Sequence, residues 1–162
     1  HRWLDLATRA EVEDPSDPLF VGWRVAALRA LGRDPEAVTV ARGALALPPG
    51  TGNEGSQAYL LAVAGEEPKA RAMLEAMGPD DDPGSRRQAA VVHAVLGDKE
   101  GVKRWLRRYL EEKGPRFPPK ARIDPDIERL ADDPEIAALI AKMLERPAPT
   151  PTPEGDAPSA PR

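Results

Sequence analysis

The 162-residue sequence contains no cysteine, only 4% aromatic residues and no long apolar run. Without cysteine it has no disulfide framework, no thiolate metal site and no cysteine nucleophile. No apolar run approaches the roughly 20 residues that span a bilayer, so we expect no membrane insertion. Runs of β-branched residues are nearly absent, which argues against a sheet. The lack of cysteine does not fix the compartment, and the cytoplasm is the location that we favour.

Apolar residues nevertheless make up 41% of the chain, and alanine and leucine dominate this share. Such a composition favours helices packed closely through small side chains. The length suggests one domain. The net charge of −4 and the pI near 5.3 argue against nonspecific nucleic-acid binding by the domain as a whole.

Asp-Pro pairs and single glycines divide the sequence into helices. Aspartate can accept hydrogen bonds from the free N–H groups of a helix start, and proline at the first helical position loses no hydrogen bond. Gly32, Gly65, Gly78 and Gly97 fall where helices should end. The predicted helices span residues 2–12, 18–31, 35–47, 54–65, 67–77, 85–96, 99–113, 125–131 and 134–145.

Three of these glycines mark an internal repeat. Gly32, Gly65 and Gly97 are 33 and then 32 residues apart, and each lies between two predicted helices. A single helical hairpin cannot bury both of its apolar faces, so we expect the hairpins to stack. The fold class that follows is all-α, an antiparallel helical-hairpin solenoid.

The last predicted helices have the pattern of a cap that closes this stack. Helix 99–113 carries one apolar stripe, formed by Val102, Trp105, Leu106, Tyr109 and Leu110. Apolar residues also recur at near-helical spacing between Ile123 and Met143. We therefore predict that residues 123–145 pack on helix 99–113 as an atypical C-terminal cap, with Trp105 among the most buried residues.

The repeat resembles the tetratricopeptide-repeat (TPR) family. The family pattern has a small residue, a large residue three positions later, glycine four positions after that and alanine five positions after the glycine. The matching residues are Val25, Leu28, Gly32 and Ala37, then Ala58, Leu61, Gly65 and Ala70, then Ala90, His93, Gly97 and Val102. The resemblance covers residues 2–146 and implies a TPR-like solenoid. Residues 44–48 resemble the family's closing motif with one residue missing.

The segment from residue 105 to 136 is similar to the last repeat of large bacterial repeat proteins. Those arrays often close with two Asp-Pro pairs and a final Phe, for which Ile136 stands here. They are frequently fused behind a kinase, a cyclase or a transcriptional regulator. We accordingly expect a TPR-like domain over residues 1–146 whose first hairpin is truncated before helix 2–12. Residues 147–162 are rich in Pro, Thr, Ala and Ser and are predicted to be a disordered tail.

The resemblance implies binding of a protein or peptide partner rather than catalysis. It places the partner-binding positions at Arg29, Tyr59, Arg87 and Val91, on the first helix of each hairpin. The function predicted is a protein–protein interaction module. One alternative is the regulatory C-terminal array of a larger signalling enzyme, and another is a structural spacer. We expect no enzyme activity, cofactor or metal, because no nucleophile, phosphate-loop or metal-ligand motif occurs.

Four further features have a functional interpretation and a simpler one. His93 could be an acid, base or ligand, but no acidic or histidine partner is expected to orient it, so it is interpreted as a packing residue or a single hydrogen bond. Asp80–Asp82 lacks the alternating ligands of a calcium loop and is interpreted as a solvated loop. The carboxylate pairs at 111–112 and 132–133 are interpreted as an exposed helix end and a cap with its flank.

The fourth feature is a basic run with interleaved aromatic residues. Residues 99–122 carry nine basic and three acidic side chains, a mixture that can bind nucleic acid. Residues 124–146 carry seven acidic and three basic side chains. We expect the basic run to meet this acidic segment or solvent, and we expect no nucleic-acid partner.

Overall fold

The computed structural model of the chain describes residue 5 and residues 17–47, 54–77, 83–113 and 124–144. Every regular element within these residues is a helix. The eight helices are α1 Pro18–Ala30, α2 Asp34–Leu45, α3 Glu54–Ala64, α4 Glu67–Met77, α5 Pro83–Val95, α6 Lys99–Lys113, α7 Pro125–Glu128 and α8 Pro134–Leu144. They agree with eight predicted helices to within three residues at each end. Predicted helix 2–12, apart from the helical Asp5, and the predicted tail 147–162 lie outside the described residues.

Asp-Pro pairs begin helices in two different ways. Before α1, the Asp17 carboxylate accepts a hydrogen bond from the Leu19 N–H at 2.8 Å and Pro18 is the first helical residue. Helices α7 and α8 begin in the same way. Asp34, by contrast, is itself the first residue of α2, where no side chain caps the helix. Its carboxylate binds arginine side chains instead.

The three repeat glycines end helices α1, α3 and α5 with the same turn. Gly32, Gly65 and Gly97 have φ angles of 72°, 86° and 69°. The N–H after each glycine donates to the carbonyl five residues earlier, as from Arg33 to Leu28 at 2.9 Å. This hydrogen bond satisfies a carbonyl that the helix end leaves free. A residue other than glycine would be strained at these positive φ angles.

Helices α1, α3 and α5 lie side by side, and the other helices pack against this row. Helix α2 packs on α1 and α3, α4 packs on α3 and more weakly on α5, and α6 packs on α5. Helix α3 is central and almost uncharged, and all its residues from Ala58 to Ala64 are buried. A helix that is apolar on every side must be surrounded. The core is therefore continuous along the row.

The predicted cap divides into two helices with different neighbours. Helix α8 packs on α6 as predicted, and Trp105 is 8% exposed with its ring stacked on Tyr109 at 5.4 Å. Helix α7, however, packs on α1 and α5. The prediction that residues 123–145 pack on helix 99–113 is therefore confirmed for α8 and wrong for α7. The reason is electrostatic, because Asp126 has its partners on α1 and α3.

Truncation of Trp105 should reduce stability strongly because its ring is buried and stacks on Tyr109. We expect Trp105→Ala to lower the free energy of unfolding by about 3–5 kcal/mol. Urea denaturation followed by circular dichroism measures this loss. The control is Trp23→Ala, since Trp23 is 44% exposed. Equal losses for the two variants would contradict the packing described for Trp105.

Candidate functional site

The side chains predicted to bind a partner lie on three neighbouring helices. Arg29 is on α1, Tyr59 on α3 and Val91 on α5. Arg87 is also on α5, but its side chain is outside the part of the structure that is described. Tyr59 and Val91 are 3% and 7% exposed, and Val91 belongs to the core. The structure brings Arg29 and Tyr59 together around a third residue that was not predicted.

That third residue is Asp126 of α7, whose side chain is 2% exposed. Asp126 Oδ1 accepts a hydrogen bond from Arg29 Nε at 2.8 Å and lies 2.7 Å from Arg29 Nη2. Asp126 Oδ2 accepts a hydrogen bond from the Tyr59 hydroxyl at 3.1 Å. Two donors on different helices thus hold both oxygens of one buried carboxylate. We call Arg29, Asp34 and Tyr59 the α7-binding site.

A second ion pair joins the end of α7 to the same site. Arg129 Nη1 lies 3.0 Å from Asp34 Oδ1, and Asp34 Oδ1 also lies 3.1 Å from Arg29 Nη1. Arg129 also donates to the Arg29 main-chain carbonyl. Acidic and basic groups therefore alternate in the order Asp126, Arg29, Asp34, Arg129. Each of the two arginines bridges two acceptors, which fixes the orientation of α7 on α1.

Burial and neighbouring charges shift the pKa values of two groups in this site, Tyr59 and Arg29. Burial, followed by the nearby Asp126 and Asp124 carboxylates, raises the pKa of Tyr59 well above its usual value. The hydroxyl is therefore the neutral donor at physiological pH. Burial opposes the charge on Arg29, but its hydrogen bond to Asp126 and the attraction between the two charges outweigh burial and raise the pKa of Arg29. The site thus holds a fixed cation beside a neutral donor.

Apolar burial accompanies the polar contacts. Ile127, the residue after Asp126, is 3% exposed and belongs to the main core. Asp124 precedes both and accepts a hydrogen bond from the Asp126 N–H at 3.0 Å, which sets the first turn of α7. Helix α7 and the Arg129 that directly follows it therefore present a carboxylate, an aliphatic side chain and a guanidinium within about one turn.

The basic face of α6 is in contact with the acidic residues around α8. Lys103 Nζ lies 2.9 Å from Glu100 Oε1 and 3.0 Å from Asp133 Oδ2, and hydrogen bonds to Glu100 and then Asp133 raise the pKa of Lys103. Lys99 pairs with Asp132, and Arg107 pairs with Glu135. These contacts confirm that the basic run meets the acidic segment. Three of its cations are held by carboxylates of the same chain.

His93 has an acidic partner that the sequence analysis did not expect. Its Nδ1 lies 2.9 Å from Asp98 Oδ2, while Asp98 Oδ1 accepts a hydrogen bond from the Gly101 N–H at 2.9 Å. Burial lowers the pKa of His93, and Asp98 only partly offsets this effect. The expectation that no aspartate orients His93 is wrong, because Asp98 lies in the turn that follows α5. The interpretation of His93 as a residue with a single hydrogen bond agrees with the observed contact to Asp98.

The remaining acidic candidates include the carboxylate pair at 132–133 and residues 80–82. Asp133 caps α8 through the Glu135 N–H at 3.0 Å, which matches its interpretation as a cap. Residues 80–82 lie outside the described part of the chain. No group of three or more potential metal ligands occurs among the described residues. No described helix is both long and apolar enough to cross a membrane.

Substitution of Asp126 tests how strongly the buried carboxylate holds the structure together. Asp126→Asn leaves Arg29 without its buried counter-charge and should lower the free energy of unfolding by about 3 kcal/mol. Urea denaturation measures the loss. Asp132→Asn, which removes the 71%-exposed partner of Lys99, is the control and should change stability by no more than about 1 kcal/mol. A loss for Asp126→Asn as small as that of the control would refute the buried contact.

Substitution of Gly101 tests the close approach of His93 to α6. A Cβ atom at Gly101 would lie 2.3 Å from His93 Nδ1 and 2.5 Å from His93 Cγ. We expect Gly101→Ala to destabilise the protein by about 1–3 kcal/mol, since His93 must leave Asp98 to make room. Gly43 has no atom within 4 Å of the corresponding position, so Gly43→Ala should stabilise α2 by about 0.5–1 kcal/mol. Thermal unfolding that shows Gly101→Ala to be more stable than Gly43→Ala would contradict this geometry.

Comparisons of the chain with protein-family models, with curated proteins and with solved structures gave no match. The interpretation of the site therefore depends on its geometry and chemistry.

Proposed function

We propose that this chain is a protein–protein interaction module, built as a TPR-like solenoid of antiparallel helical hairpins. A partner peptide or helix would lie on the side of the α1–α3–α5 row that carries Arg29 and Tyr59. The repeated glycine turns and the side-by-side row support the solenoid arrangement. The rows of such solenoids offer extended binding surfaces.

The observation that carries this proposal is the contact with α7. The row already binds one short helical segment through a buried carboxylate and an adjacent aliphatic side chain. Peptide recognition by helical surfaces uses this combination of charged and apolar anchors. A surface that holds α7 has the chemistry to hold a similar segment of another protein.

A peptide selection followed by NMR tests the proposal. Peptides are selected from a random display library on the immobilised full chain, and each selected peptide is then titrated into the isotope-labelled full chain. We expect micromolar binding and amide shift changes concentrated on α1, α3 and α5. A scrambled peptide of equal composition is the control. A library that yields no binder would reject the proposal and favour a structural spacer, whereas shift changes confined to α2 and α4 would reject the proposed binding surface.

A further inference from the structure

Helix α7 has the character of a bound ligand rather than of one more helix in the stack. It has only four residues, and its two main contacts join residues 97 and 67 positions apart in the sequence. Its neighbours are α1 and α5, whereas the other helices pack mainly on helices close to them in the chain. Its position is therefore set by what it binds and not by the order of the hairpins.

We propose that α7 is a built-in competitor for the partner, and that the partner carries the same turn: Asp, an aliphatic residue, any residue, then Arg. This inference rests on the proposed function, since it identifies the ligand chemistry and the regulation of the same surface. In this chain the three positions are Asp126 and Ile127 of α7 and Arg129, the residue that directly follows the helix. The occupant is a segment of another protein, and its binding requires α7 to leave.

The groups that α7 leaves behind define what the partner must supply. Arg29 and Asp34 pair with each other at 3.1 Å and remain on α1 and α2. Arg29 and the Tyr59 hydroxyl need an acceptor, because a buried polar group without a partner is costly. Asp34, whose side chain is 43% exposed, keeps its pairing with Arg29 and can pair with a further cation, as it does with Arg129. A carboxylate and a guanidinium three residues apart on one helical turn satisfy these groups together.

The contacts of α8 allow α7 to leave without dissolving the rest of the cap. Helix α8 is held on α6 by Ile136, which is fully buried, and by the Lys103–Asp133 ion pair. None of these residues takes part in the contacts of Asp126 described above. A tethered segment competes at an effective concentration on the order of millimolar, so a partner of equal intrinsic affinity binds the intact chain weakly.

A fluorescent synthetic peptide of residues 123–131 is the probe for this competition. Its affinity is measured for the full wild-type chain, for Asp126→Ala and for Asp126→Ala combined with Arg29→Met. Substitution of Arg29 alone would weaken the binding of α7 and the binding of the probe alike. The two effects would then cancel in the measured affinity of the probe. We expect the Asp126→Ala variant to bind the probe at least tenfold more tightly than the wild-type chain does. The double variant should bind the probe at least tenfold more weakly than the Asp126→Ala variant. A probe carrying Asn in place of Asp126 is the matched control and should bind weakly to every form.

Hydrogen exchange of the wild-type chain supplies a second measurement if Asp126→Ala does not fold. Excess probe should accelerate exchange of the α7 amides of Ile127 and Glu128, while the α8 amides remain protected. Equal probe affinity for wild type and Asp126→Ala, an unchanged α7 exchange rate, or no binding to any form would overturn the proposal. A dimer of the wild-type chain in light scattering would also overturn it, because the α7 of a second copy would then be the occupant. Selected peptides that bind α1, α3 and α5 without accelerating α7 exchange would leave the proposed function standing and reject only the competition.

Discussion

The position of α7 depends on one buried carboxylate. Asp126 lies within hydrogen-bonding distance of Arg29 and Tyr59, and this contact joins the C-terminal segment to α1 and α3. A carboxylate removed from water is costly unless its charge is paired and its oxygens accept hydrogen bonds. Both conditions are met here by side chains of different helices. The relative position of α1, α3 and α7 is therefore specified by electrostatics as well as by packing.

The two C-terminal helices are held by different kinds of interaction. Helix α8 covers the apolar stripe of α6, where Leu106 and Ile136 are fully buried, and the ion pairs at its edge include exposed ones such as Lys99–Asp132. Exposed ion pairs contribute little, so apolar burial holds α8 together with the less exposed Lys103–Asp133 pair. Helix α7 adds one buried aliphatic side chain, Ile127, to its buried charge. A contact that depends so strongly on a charged pair can be exchanged for a chemically equivalent one, which is the basis of the proposed competition.

Local patterns predicted the helices well because the groups involved are close in sequence. Proline at a helix start, and glycine at a positive φ angle at a helix end, act through hydrogen bonds that span two to five residues. The apolar stripe of α6 likewise follows from a helical period. The partner of His93 was missed although Asp98 is only five residues away, at the cap of the next helix. The signal that could have predicted this partner is an aspartate at the start of α6, directly after the Gly97 turn.

The sequence by itself determined the all-helical class, the places where helices begin and end, and the covering of α6 by α8. It also indicated that Arg29 and Tyr59 share a surface, by resemblance of the repeats. Only the tertiary structure decided that this surface is occupied by α7 and that Asp34 binds arginines instead of capping α2. The reason is that Asp126 and Arg29 are 97 residues apart. No local period or turn rule relates two such residues, and their contact arises only when the packed helices bring α1 and α7 together.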